Sequence, residues 1–107
     1  MKTIEGLSVE EERAAALFRA LGNPARIRIV RELARRSTCM TGDLVDVLPL
    51  AQSTVSEHLR VLKEAGIVQG AIEGDRCYCL DPVVLREVVA FCTDLEALLK
   101  ECETSCC

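Results

Sequence analysis

Ala51-Gln52-Ser53-Thr54-Val55-Ser56-Glu57-His58-Leu59-Arg60-Val61-Leu62-Lys63-Glu64-Ala65-Gly66 is the stretch that decides how this chain is read. Val55, Leu59 and Leu62 recur at helical spacing and give an apolar stripe, so a helix runs from about Gln52 to Ala65. Gly66 suits a left-handed cap and stops it. Ile67 to Ile72 then reads as a strand and Arg76 to Leu80 as its partner, with Glu73-Gly74-Asp75 as the hairpin tip.

Upstream, Pro49-Leu50 makes a turn. Before it Thr41 can cap a shorter helix, with Asp43 in the first turn where the helix dipole favours a carboxylate. Leu44, Val47 and Leu48 are the inward face of that helix. Two short helices joined by a tight turn and followed directly by a hairpin make a winged helix-turn-helix. The second helix is then the one that enters a major groove. Its first turns carry Gln52, Ser53, Thr54 and Ser56. A glutamine amide can read adenine, and hydroxyls can bond phosphate or base. Arg60 and Lys63 lie further along and can neutralise phosphates. Arg76, just past the hairpin tip, can reach a minor groove or the backbone. His58 belongs to the same surface, or is packed and hydrogen-bonded. Each of these polar residues also has a plainer reading as part of a solvated helix face.

Moving outward, Ser8-Val9-Glu10-Glu11 is a capping box. Ala14, Leu17, Phe18 and Leu21 follow at helical spacing until Gly22. Asn23-Pro24 starts a second helix, with Asn as cap and Pro at the first position. Its expected stripe is Ile27, Val30 and Leu33. Asp81-Pro82 opens the last helix, whose apolar positions are Leu85, Val88 or Val89, Cys92, Leu95, Leu99, Cys102 and Cys106. That face is too long for the preceding elements to cover, so pairing with a second copy is expected. The fold class is therefore mainly α with a small β-hairpin (α+β). It is one domain over residues 1–107, with dimerisation helices at about 8–21 and 82–103 and a cysteine-containing tail at 102–107.

Composition agrees. The 107 residues include two Phe, one Tyr and no Trp, so aliphatic side chains must fill the core. The net charge is −4, but its distribution is uneven. Pro24 to Glu64 holds seven basic residues against five acids, and Ala65 to Cys107 holds three against eight. One face can thus meet a polyanion. No stretch reaches the roughly 18 apolar residues that span a bilayer, and Met1 to Gly6 has no apolar run. A cytoplasmic protein without membrane association is expected.

Leu21-Gly22-Asn23-Pro24-Ala25-Arg26, together with Ser53 to Val68, resembles the ArsR/SmtB family of metal-responsive repressors; the hairpin and Tyr78 fit as well. The resemblance implies a homodimer on palindromic operator DNA, with first and last helices as the interface, and repression relieved by an inducer. It implies no enzymatic activity, and with a single His and no second domain a thiol enzyme is poorly supported. Zinc sensors of the family use Asp and His on the last helix, and here that helix has no His. A further family pattern, Cys-x-Cys-x-x-Cys at the third helix, is met only by Cys39 in Cys39-Met40-Thr41-Gly42-Asp43-Leu44.

The seven cysteines, an odd number without a secretory signal, point to metal or thiol chemistry rather than a disulfide framework. Cys102 and Cys106 are four apart, on one face of a helix, and Cys107 joins them if the last turn unwinds. Soft thiolates select soft ions. As(III) or Sb(III), or another soft metal ion, bound by Cys102, Cys106 and Cys107 is the favoured inducer, with Cys39 as a weaker candidate ligand. A redox- or sulfur-responsive repressor using the same thiols is the alternative. Cys77 and Cys79 read as sheet packing and Cys92 as interface packing.

Overall fold

The computed structural model describes residues 6–36, 48–70 and 78–104, without the side chains of the last two. Its elements are α1 (Val9–Leu21), α2 (Pro24–Arg36), α3 (Gln52–Glu64), β1 (Val68–Gly70), β2 (Tyr78–Leu80) and α4 (Pro82–Thr104). The short helix expected from Thr41 and the wing tip at 73–75 lie outside the described residues.

The caps form as the residue types require. The Ser8 hydroxyl accepts from the Glu11 amide at 3.0 Å, and the Ser8 amide donates to the Glu11 carboxylate at 2.8 Å. That reciprocal pair satisfies two amides a helix start leaves open. Asn23 Oδ1 accepts from the amides of Ala25 and Arg26 at the head of α2. Asp81 does the same for Val83 at the head of α4, with Pro82 in the first position. At Gly22 the chain leaves α1 without a left-handed turn, and a Cβ there would sit 3.3 Å from the Phe18 carbonyl.

The end of α3 fixes the next chain direction. Gly66 adopts φ +85, donating its amide to the Lys63 carbonyl, while Ile67 donates to the Leu62 carbonyl, both at 3.0 Å. This is a Schellman closure, and its apolar contact is provided by Leu62 and Ile67, both fully buried. The hairpin starts at once, with Val68 opposite Leu80, Gln69 opposite Cys79 and Gly70 opposite Tyr78 in antiparallel register.

Among the described residues the buried core takes Leu17 and Ala20 from α1, Ile29 and Leu33 from α2, Val55, Leu59 and Leu62 from α3 and Val68 from β1, with Leu48 and Ile67 from the connecting segments. Val84, Leu85 and Val88 bring the start of α4 onto it. Within α2 the inward face is Ile29 and Leu33, with Val30 at its edge, whereas Ile27 is exposed. Ile27 lies about a third of a turn from Leu33 at 3.6 residues per turn, so the stripe is centred later than the spacing suggested.

Candidate nucleic-acid interface and thiol surface

α3 turns Val55, Leu59 and Leu62 into the core, which leaves Gln52, Ser53, Thr54 and Ser56 exposed around its first turns. The residue before the helix is Ala51, extended and without a side chain able to cap it. The amides of Thr54 and Val55 are bonded to the Ala51 carbonyl, and no side chain closes the helix start. Backbone donors and the positive end of the helix dipole therefore point outward among four small polar side chains, an arrangement suited to phosphate and base edges.

Arg60 is exposed, but its guanidinium is held between Glu57 and Glu64, the latter at 2.6 Å. These partners raise the Arg60 pKa, and Arg60 in turn holds the Glu57 carboxyl below its ordinary range. Sequence reasoning treated Arg60 as a free cation. The spacing Glu57-x-x-Arg60-x-x-x-Glu64 was the signal that it is not, since residues three and four apart share a helix face.

His58 is half-buried, with Nδ1 shielded and without a hydrogen-bond partner among the described residues. It is packed, as the plainer reading had it, but not hydrogen-bonded through that atom. Arg76 lies outside the described residues.

The other surface is α4. Arg13 and Glu87 form a two-point ion pair at 3.0 and 3.2 Å, which ties α1 to α4. One turn on, Phe18 and Phe91 meet edge to face with ring centroids 5.4 Å apart. A groove of about 260 Å³ runs between the two helices, lined by Ala14, Leu17, Ala90 and Phe91 among others. No sequence signal marked this clamp, because it joins residues 74 positions apart.

Beyond Val88 the helix carries Val89, Phe91, Leu95, Leu98 and Leu99 exposed, together with the free thiols of Cys92 and Cys102. Cys106, Cys107 and Cys39 lie outside the described residues. Cys79 is half-buried on β2 and disulfide-bonded, not the free packing thiol expected. No group of three metal-ligating side chains converges among the described residues, and no helix there is long and apolar enough to cross a membrane.

Residues 23–69 match the family model described as bacterial regulatory protein, arsR family. An uncharacterised HTH-type transcriptional regulator of Methanocaldococcus jannaschii is 41% identical over 63 residues, which cover 59% of this chain and 71% of that protein. The HTH-type transcriptional repressor SmtB of Mycobacterium tuberculosis is 46% identical over 61 residues, covering 57% of this chain and 44% of the repressor. A solved structure described as a possible transcriptional regulator for arsenical resistance superposes with TM-score 0.64 at 32% identity, over 80% of this chain and 94% of the other.

Proposed function

This chain belongs to the ArsR/SmtB family of winged helix-turn-helix transcriptional regulators, and from that premise we propose that it is a repressor that binds operator DNA as a homodimer. The exposed, uncapped start of α3 carries the reading. Gln52, Ser53, Thr54 and Ser56 enter the major groove, His58 backs that surface, Arg60 lies at its edge, and Arg76 on the wing reaches an adjacent groove or phosphate. The single domain of residues 1–107 dimerises through its first and last helices, whose apolar surface is left uncovered in one protomer.

Release from DNA follows binding of trivalent arsenic or antimony to the thiolates of Cys102, Cys106 and Cys107, with Cys39 as a lesser contributor. Cys102 supports this reading by being free and exposed on the last turns of α4. The likeness to a structure described by arsenical resistance agrees with it. Soft trivalent ions prefer thiolate sulfur, and the helix that holds Cys102 is the one expected to set the dimer geometry. Such coupling between sites is typically worth about 5–150-fold in affinity.

The test is binding to the duplex upstream of the protein's own reading frame, followed by fluorescence anisotropy, with arsenite titrated in. Arsenite should weaken binding at least about tenfold. A variant with Cys102, Cys106 and Cys107 all changed to Ser should bind DNA as before and ignore arsenite. If that variant still releases DNA at the wild-type arsenite concentration, the tail is not the sensor.

A further inference from the structure

Arg13, Arg35 and Arg60 each hold a carboxylate. Arg19 and Arg26 do not. Arg26, in the first turn of α2, is half-buried, and its Nε is shielded from solvent without a hydrogen-bond partner among the described residues. Arg19, in the last turn of α1, is exposed and forms no ion pair among them. Both line one cleft of about 360 Å³ between the end of α1, the start of α2 and the end of α3. Ala16, Ala20, Val61 and Ala65 give that cleft a wall of small apolar side chains. Its one carboxylate, Glu64, is largely exposed and is held by Arg60 at 2.6 Å.

A shielded guanidinium N–H without an acceptor is costly, so the cleft calls for an acceptor at Arg26 Nε. The head of α2 adds no donor of its own, because Pro24 has no amide hydrogen and Asn23 accepts from the Ala25 and Arg26 amides. The two side chains therefore decide the ligand. Guanidiniums from different helices suit a tetrahedral phosphate, which offers oxygens to both, better than a carboxylate, whose two oxygens a single fork takes up. The cleft is also apart from the surfaces described above. Ala16 and Arg19 project from the side of α1 roughly opposite Ala14 and Phe18, at 3.6 residues per turn. Around α3, Glu57 and Glu64 stand between the row of Ser53, Ser56 and Arg60 and the row of Val61 and Ala65.

We propose that this cleft binds a small phosphate-type oxyanion between Arg19 and Arg26, at a site separate from both the cysteines and the DNA-facing start of α3. Arg26 Nε donates to it from α2 and the Arg19 guanidinium from α1, so the ligand ties the two helices together beside the end of α3. Binding is by charge-assisted hydrogen bonds, without a covalent step. The site stands independently of the repressor reading, since neither arginine belongs to the surface proposed to meet DNA. A nucleic-acid backbone carries the same phosphate chemistry. To reach the cleft from the DNA-facing row, however, it must pass the carboxylates of Glu57 and Glu64, so the phosphate is a free one.

The experiment uses the full chain labelled with nitrogen-15 arginine, and inorganic phosphate is titrated against chloride at fixed ionic strength. The Arg26 Nε–H signal is assigned by its loss in Arg26→Lys. It should shift saturably with phosphate, which should bind at least about tenfold more tightly than chloride. Arg19→Gln should weaken phosphate binding at least about tenfold, and Arg26→Gln by as much or more. Arg19 is exposed, so its variant tests the site even if Arg26→Gln does not fold. A response to phosphate no tighter than that to chloride, or an unchanged phosphate affinity in Arg19→Gln, overturns the site. An operator duplex that moves the same signal in phosphate-free buffer, and is displaced by phosphate, overturns the free source in favour of the DNA backbone.

Discussion

At Arg60, a residue that sequence logic assigns to phosphate is balanced by two carboxylates on its own helix. A phosphate-contacting cation normally changes the slope of log affinity against log salt by about 1. Arg60→Ala should change it by clearly less, because Glu57 and Glu64 already neutralise the guanidinium, whereas changing both glutamates to Gln should raise DNA affinity and steepen the slope. An Arg60→Ala slope that falls by a full unit would show that DNA displaces the glutamates. Gly66 is the other residue whose role is set by geometry. A Cβ there would meet Val84 at an ordinary 3.6 Å, so Gly66→Ala is opposed by the positive φ and not by crowding. It should lower stability by about 1 kcal/mol, measurable by urea unfolding.

Between elements, the Arg13–Glu87 joint of α1 and α4 carries a pH signature. Arg13 keeps the Glu87 carboxyl below its ordinary value through a direct hydrogen bond. A carboxylate with a depressed folded pKa adds stability above its unfolded value of about 4.3 and loses it as pH falls through the lower folded value. Glu87→Gln should therefore be slightly less stable than the parent above about pH 4.3, converge with it in acid, and so show a flatter acid limb, the difference being small because exposed ion pairs are weak. An unaltered acid limb would mean that the pair does not persist in solution. The capping motifs and the apolar spacing of these helices were legible from order and spacing alone, because a cap needs only residues within one turn. The clamp was not, because neither Arg13 nor Phe18 names its partner until α4 folds back over α1.

For the whole molecule, the chain is elongated, 54 × 32 × 23 Å, and the later part of α4 lies exposed beyond the core. Contiguous apolar surface of this kind marks an interaction site. Changing Leu95 and Leu99 together to Glu should yield a monomer by sedimentation with unchanged helical content by circular dichroism. It should also lose operator binding, since a single protomer reaches only one half-site. A double variant that stays dimeric would place the interface elsewhere.

By itself the sequence determined the order of elements, the helix caps, the glycine that turns α3 into the hairpin, and the polar residues at the start of α3. Each of these depends on residues a few positions apart. It also carried the long apolar face of the last helix, but not which part of it was free. Only the tertiary structure decided that Leu85 and Val88 are taken by the core while Cys92 to Cys102 remain uncovered, that Ile29 and not Ile27 faces inward, and that α1 is fastened to α4 by Arg13–Glu87 and Phe18–Phe91. The physical reason is that burial is shared among segments distant along the chain. A periodic pattern states that a face is apolar, and only packing states what covers it.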